Sequence, residues 1–281
     1  MDEDDLNDDL SGVVRNVRRN NAEATKRFVN HPLTRAYLEA GVRLVYQEFH
    51  AANDDGRLMR PFESLRRENV IAEMSNGRPE LPTKGTVGSF RDRWDPFSGY
   101  LSDLARFMLR MRKLGPVNAL VTQAVDALSH GDFAAAVHEV AYRDMELADM
   151  SVQLRFRFLA STLAAQDPAV AEAMAGVYRD VTHTWKNLCD QVFAARGLTL
   201  RKGLTTEDLA MVLVAINEGL AFRVANDPSC TVRDASTRRG LLGYAALALF
   251  SGAIDTGDGL ALEELAEQIA DGVSGAFRAG E

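Results

Sequence analysis

The segment from Thr83 to Trp94 constrains the fold of this 281-residue chain more than any other stretch. Val87, Phe90 and Trp94 recur at i, i+3 and i+7, so in a helix they share one apolar face. Cations on the other face can contact DNA phosphates, and short hydroxyls can reach base edges in the major groove. The pattern predicts a short helix that binds duplex DNA through its outer residues. These are Lys84, Thr86, Ser89, Arg91 and Arg93.

The composition favours an all-α protein. Apolar residues make up 46% of the chain, which is enough for a hydrophobic core, and helix-forming Ala, Leu, Arg and Glu are common. Runs of alternating Val, Ile and Thr between hairpin turns are absent from the sequence. The length suits one large domain or two moderate ones.

The net charge of −8 is unevenly distributed along the chain. Residues 1–10 carry −6, residues 11–115 carry +7 and residues 116–281 carry −9. A basic part of about one hundred residues could bind a polyanion, and the acidic part would then have another task. Ordinary proteins also show asymmetry of this size by chance, so the charge pattern alone leaves both interpretations open.

Four regions can be distinguished from the composition and the turn signals along the chain. Residues 1–10 are acidic with little to bury, which predicts a disordered tail. Residues 11–30 hold five basic side chains and form either a basic arm that contacts DNA or, the favoured alternative, a solvated helix face. Residues 31–114 show the order helix, helix, turn, helix of a helix-turn-helix domain, followed by a fourth helix. Residues 115–281 contain longer helices.

Two motifs mark helix ends in the second half. Thr205 and Asp208 form a predicted capping box, and Gly197 lies just past a predicted helix end, where a left-handed conformation is cheap. The small residues among the leucines of 239–253 would let helices approach closely. Self-association through this segment is therefore expected, although burial within one subunit is an equally good interpretation.

Several short sequence motifs of the chain together resemble those of the TetR family of transcriptional regulators. The start Lys84-Gly85-Thr86, the aromatic pair Phe90 and Trp94 and the following Asp95 resemble the family's recognition helix. Four motifs further along the chain resemble the family's regulatory domain. They are Asp167-Pro168, Arg196-Gly197-Leu198, Thr205-Thr206-Glu207-Asp208 and Glu218-Gly219-Leu220-Ala221.

The resemblance covers nearly everything from about residue 33 onward. It implies an N-terminal three-helix DNA-binding domain and a larger C-terminal domain for ligand binding and dimerisation. The family's dimer contact implies self-association through helices at about 235–253 and 261–278, or through the 205–225 helix. It further implies a homodimeric repressor that binds a palindromic operator in double-stranded DNA and responds to a small, largely apolar effector.

The chain departs from the family pattern at two aromatic positions. Phe90 stands where the family has a tyrosine that bonds a phosphate, and Phe97 stands where it has a phosphate-binding lysine. The linker at 76–83 is also longer than the family's tight turn. An alternative function is therefore a helical small-molecule-binding or interaction protein that has lost DNA binding.

An apolar effector cavity is expected among the helices at about 132–165, 168–195 and 205–225. A hydrophobic stripe at this spacing is also typical of plain core, so both interpretations stay open. The candidate lining residues are Met150, Leu154, Arg155, Phe158, Val181, His183, Trp185, Leu188 and Phe222.

The sequence gives little support for catalysis, metal binding or cofactor binding. The five histidines lack metal-ligand spacing, and motifs for nucleotide binding or nucleophilic catalysis are missing, so we expect no enzyme, no metal and no cofactor. Two cysteines without CxxC spacing suit a reducing cytosol. An acidic start unlike a signal peptide and the lack of about 18 consecutive apolar residues predict a cytoplasmic protein without a membrane span.

Overall fold

The computed structural model describes residues 9–17, 21–51, 64–77, 85–109, 115–149, 152–227 and 229–278. Within these ranges the chain is mostly helical, which confirms the all-α prediction. The helices are α1 (Ala22–Val29), α2 (Pro32–Ala51), α3 (Arg67–Gly77), α4 (Val87–Arg91), α5 (Phe97–Leu109), α6 (Gly115–His130), α7 (Phe133–Asp149), α8 (Val152–Ala164), α9 (Pro168–Arg196), α10 (Thr206–Asn226), α11 (Leu241–Ala253) and α12 (Leu262–Arg278). Two short antiparallel strands, β1 (Arg233–Asp234) and β2 (Arg239–Gly240), precede α11.

The chain divides into two compact units. Unit 1 comprises residues 1–113 and 152–177, and unit 2 comprises residues 114–151 and 178–281. The first division lies next to the predicted boundary between residues 114 and 115. However, the prediction placed all of 115–281 in one domain, and this is wrong for 152–177. In unit 1, α8 packs against α5 and buries Phe156 and Ala160, so these helical turns complete the N-terminal core.

Unit 1 is built around α2, which packs against α3 and α5. The close approach of α2 to α5 requires a glycine at position 41. A Cβ atom there would overlap the Tyr100 hydroxyl and lie 2.8 Å from Leu104 Cδ2. The Tyr100 hydroxyl instead donates a hydrogen bond to the Tyr37 carbonyl, 2.9 Å away, and burial raises the pKa of Tyr100.

The N-terminal segment, residues 9–17, is packed onto unit 1. Leu10, Val14 and Val17 are buried in its core, and Arg15 pairs with Glu172 in α9. The prediction of an acidic tail and a free basic arm is therefore wrong for this segment, because three apolar side chains anchor it. Residues 1–8 and 18–20 lie outside the described residues. The alternative interpretation, a helix with a solvated basic face, agrees with α1, because its Lys26 is exposed.

A fully buried carboxylate, Asp103 of α5, holds the N-terminal segment in place. It accepts hydrogen bonds from the Arg15 amide at 3.0 Å and from Asn16 Nδ2 at 2.9 Å. It also accepts one from the Trp94 indole at 2.8 Å and forms an ion pair with Arg106. Arg106 Nε in turn donates to the Val13 carbonyl at 2.7 Å. Asp103 thus joins the N-terminal segment, α5 and the chain just after α4.

Unit 2 is centred on α7, which packs against α6, α10 and α11. Both predicted helix-end motifs are confirmed. Thr205 Oγ1 accepts from the Asp208 amide at 3.1 Å, and Asp208 accepts from the Thr205 amide at 2.9 Å, which forms the capping box of α10. Gly197, just past α9, has φ of +63°, a conformation that glycine adopts without a steric cost.

Replacing Asp103 with alanine should lower the free energy of unfolding by about 3–5 kcal/mol, because it leaves the buried Arg106 guanidinium without its counter-ion. Urea unfolding followed by far-UV circular dichroism would measure the change. Asp126→Ala is the matched control, since its side chain is 96% exposed, and it should change the free energy by less than about 0.5 kcal/mol. Equal stability of the Asp103 variant and the control would show that the carboxylate does not hold unit 1 together.

Candidate nucleic-acid interface and unit 2 cavity

Helix α4 is shorter than the predicted helix over Thr83–Trp94, since it spans five residues, Val87–Arg91. It begins in a capping box that the sequence analysis did not predict. Thr86 Oγ1 accepts from the Ser89 amide at 3.1 Å, and Ser89 Oγ accepts from the Thr86 amide at 3.0 Å. The Ser89 hydroxyl is therefore used within the helix, and Ser89 is half-buried rather than outward-facing.

Tyr37 of α2 fixes the start of α4. Its hydroxyl accepts a hydrogen bond from the Thr86 amide at 3.1 Å and lies 2.7 Å from Ser89 Oγ. Gly85 is closely packed here, because a Cβ atom would lie 3.0 Å from Tyr37 Oη and would displace the methyl end of Met74. The Gly-Thr pair before α4 thus has a structural role in positioning the helix.

The inner face of α4 is aromatic. Phe90 and Trp94 are fully buried, as predicted, and their rings lie 5.2 Å and 6.1 Å from the ring of Tyr37. Phe97 stacks on Tyr100 at 5.4 Å. Val87 is 45% exposed, so its assignment to the buried face is wrong. Trp94 lies three residues past the end of α4, so Phe90 is the buried ring of the helix itself and Trp94 continues the apolar face after it.

Arg93 is the second correction, because its side chain is only 6% exposed. The chain leaves α4 after Arg91, so the helical spacing that placed Arg93 outside no longer applies. Its guanidinium donates to Thr34 Oγ1 at 2.9 Å and to the Ser89 carbonyl at 2.8 Å, and it lies 4.4 Å from the centre of the Phe28 ring. Burial, with a contribution from the Arg93 charge, lowers the pKa of the neighbouring His31.

The exposed surface of α4 and its N-cap carries a hydroxyl, an apolar side chain and a cation, and the exposed carboxylate of the C-cap residue Asp92 follows directly. Thr86, Val87 and Arg91 are exposed, and Gly88 between them leaves the backbone accessible. Lys84 lies outside the described residues. Of the five predicted DNA-binding residues, Thr86 and Arg91 are thus placed on an accessible surface.

Unit 2 contains an apolar cavity of about 70 Å³ between α6, α7, α9, α10 and α11. Two predicted residues, Trp185 and Leu188, line it. Cys189 also lines it, and burial raises the pKa of this thiol to about 12, which makes it a small apolar wall residue rather than a nucleophile. The sequence analysis missed other wall residues. These include Phe133, Val137, Val192, Phe193 and Phe250.

Most other residues predicted for the cavity lie elsewhere. Val181 is buried, but it is not among the residues that line the cavity. The first residue of α9 in the cavity wall is Trp185, one turn later. His183 and Phe222 are exposed, and Phe158 belongs to unit 1. Three predictions fall outside what the structure describes, either the residue or its side chain. These are Met150, Leu154 and Arg155.

Large apolar side chains are exposed on three helices of unit 2. They include Met211 on α10, Tyr244 on α11 and Ile269 on α12. Helix α11 has no charged residue within Leu241–Ala253, and Leu241 and Tyr244 are each 52% exposed on it. Neighbouring exposed apolar side chains are typical of an interaction site, and Leu241 and Tyr244 lie three positions apart on one face of α11.

Neither a protein-family model, nor a curated protein, nor a solved structure matches the chain. In the part of the chain that the structure describes, helices lack the combination of length and apolar character needed to cross a membrane. The described residues also hold no group of three or more His, Cys, Asp or Glu side chains that could bind a metal ion. Function is therefore inferred from the residues of α4 and of the unit 2 cavity.

The two arginines near the end of α4 should respond differently to substitution. Arg93→Ala should lower the free energy of unfolding by about 1–3 kcal/mol, because it removes two hydrogen bonds and the packing over Phe28. Arg91→Ala should change it by less than about 0.5 kcal/mol, because Arg91 is exposed. Urea titrations of both variants beside the unsubstituted chain would check this, and equal destabilisation by the two would contradict the assignment of Arg93 to the core.

Proposed function

We propose that this chain is a cytoplasmic, homodimeric regulator of the TetR type that binds duplex DNA and responds to a small ligand, acting as a repressor. The observation that carries the proposal is the arrangement of α4, a five-residue helix with a fixed aromatic inner face and an exposed outer face. In this proposal α3 and α4 form a helix-turn-helix, and α4 lies in the major groove.

The exposed residues of α4 suit readout of base edges. The Arg91 guanidinium can donate two hydrogen bonds to guanine, since arginine presents a fork of N–H donors, and its positive charge adds to the attraction of the phosphates. The methyl groups of Val87 and Thr86 can pack against the 5-methyl group of thymine. Because Tyr37 and Asp103 fix the two ends of this segment, these groups would be positioned before DNA binds.

Dimerisation and ligand binding are proposed for unit 2. The exposed apolar side chains of α10, α11 and α12 suit association with a second copy, which would match the two-fold symmetry of a palindromic operator. Its half-sites would lie about 34–36 Å apart or a multiple of this. A ligand in the cavity would change DNA affinity to the extent that it binds one spacing of the recognition helices better than another.

An alternative is a helical small-molecule-binding or interaction protein that no longer binds DNA. It is favoured by Phe90 and Phe97, which stand where the family's phosphate contacts occur and which pack against the aromatic core instead. On the described surface of α4, Arg91 is the one exposed cation. A chain that dimerises and binds ligand but shows no affinity for DNA would favour this alternative.

A gel-shift titration with the promoter beside the chain's own gene tests DNA binding. Arg91→Ala should weaken binding by about tenfold or more. It should also make the fall of log affinity with log salt concentration less steep, by about one unit of slope for each half-site contacted. Arg223→Ala, which removes an exposed arginine of unit 2, is the matched control and should change neither. Unchanged affinity of the Arg91 variant would show that Arg91 of α4 does not take part in DNA binding.

Sedimentation equilibrium should show a dimer, and Tyr244→Glu should convert it to a monomer, because a carboxylate would be desolvated in the contact. Val87→Glu is the control, since it places the same charge on an exposed apolar position of unit 1 and should leave the dimer intact. A monomeric unsubstituted chain, or a dimeric Tyr244 variant, would contradict the proposed interface.

A further inference from the structure

The cavity of unit 2 carries one charged side chain among its described lining residues, the carboxylate of Asp144. Asp144 lies on α7, one turn after Val140 and Ala141, which also line the cavity. Its side chain is largely buried, and the rest of the wall is hydrophobic, with aromatic rings from Trp185 and Phe250. The cavity therefore offers an apolar volume and a single anionic group.

Asn217 of α10 adds a second acceptor beside this carboxylate. Its Nδ2 group donates to Asp144 Oδ2 at 2.6 Å, whereas its Oδ1 atom is buried without a hydrogen-bond partner. Asn217 follows the cavity-lining residues Leu213 and Val214 by four and three positions, so it shares their face of the helix. A buried acceptor without a donor costs free energy, which a ligand carrying an N–H group would recover.

The two acceptors select among ligand classes. A carboxylate ligand would be repelled by Asp144, and the described lining holds no cationic side chain to offset the repulsion. A hydrocarbon would leave Asn217 Oδ1 without a donor. An ammonium group has three donors and a positive charge. A carboxylate accepts up to about four hydrogen bonds, so Asp144 can serve an ammonium group together with Asn217 and its other contacts.

We propose that the effector of unit 2 is a small apolar amine. Its ammonium group donates to the Asp144 carboxylate and to Asn217 Oδ1, and its hydrocarbon part lies between Trp185 and Phe250. The proposal rests on the proposed function in treating this cavity as the effector site. The volume of about 70 Å³ suits an alkyl chain of a few carbon atoms, so n-butylamine, which is charged at pH 7 as lysine is, serves as the probe.

The two tryptophans of the chain make a direct binding assay possible. Trp185 lines the cavity, and Trp94 is buried in unit 1 with its indole bonded to Asp103. In a proton–nitrogen correlation spectrum, n-butylamine should shift the indole signal of Trp185 and leave that of Trp94 unchanged. The dissociation constant should be at least about tenfold lower than for n-butanol, because a charged hydrogen bond replaces a neutral one. Butyrate should cause no shift.

Asp144→Asn keeps the shape of the side chain and removes its charge, so it should abolish the preference for the amine over the alcohol. Asp126→Asn removes an equal charge from an exposed position of α6 and should keep the preference. If the Asp144 variant does not fold, the comparison of amine, alcohol and acid on the unsubstituted chain still decides the matter.

Equal affinity for n-butylamine and n-butanol, a shift of the Trp185 indole signal by butyrate, or equal shifts of both indole signals would overturn the assignment. So would an Asp144 variant that folds and still prefers the amine. Because the assay contains no DNA, failure here would leave the proposed DNA binding standing. A failed gel shift would likewise leave the amine result standing.

Discussion

The structure of unit 1 depends on a buried carboxylate that must be surrounded by donors. Asp103 is fully buried, and an isolated charge in such a place would be strongly unfavourable. Its donors come from three separate parts of the chain, namely the Arg15 and Asn16 amides, the Trp94 indole and the Arg106 guanidinium. Satisfying this one group therefore fixes the N-terminal segment, α5 and the residues that follow α4 relative to one another.

The consequence for function is that α4 does not need intrinsic helical stability. Five residues are far too few for a stable isolated helix, so the anchors at its ends determine its position. Tyr37 holds the start and Trp94 holds the end, while Phe90, Ser89 and Arg93 are used for packing and internal hydrogen bonds. The proposed readout then relies on a small outer face around Arg91, whose groups would lose little entropy when they bind.

Sequence patterns correctly predicted the features that depend on residues close together in the chain. Helix content, the capping box of Thr205 and Asp208, and burial of Phe90 and Trp94 all follow from spacing and residue type. The features that sequence analysis missed depend on distant partners. Asp103 looks like any surface acid, and its role arises from donors up to 88 positions away. Leu10, Val14 and Val17 recur every three or four residues, a signal that could have indicated a packed N-terminal segment. For the cavity, the prediction correctly included α7, α9 and α10, but it missed α6 and α11 and wrongly included α8. Of the predicted residues that the structure describes, only Trp185 and Leu188 line it, because side-chain packing decides which turn of a helix is left unfilled.

The central claim is that two copies of α4, each fixed by its aromatic inner face, read a duplex. Repeated selection of binding sites from a pool of random double-stranded DNA tests it most directly, since neither the operator nor the ligand has to be known. The account predicts enrichment of an inverted repeat with half-sites about one helical turn, or a multiple of it, apart, and loss of the base preference at one symmetric position in the Arg91→Ala variant. A pool that shows no enriched sequence, or the same enriched repeat with Arg91→Ala, would contradict the claim.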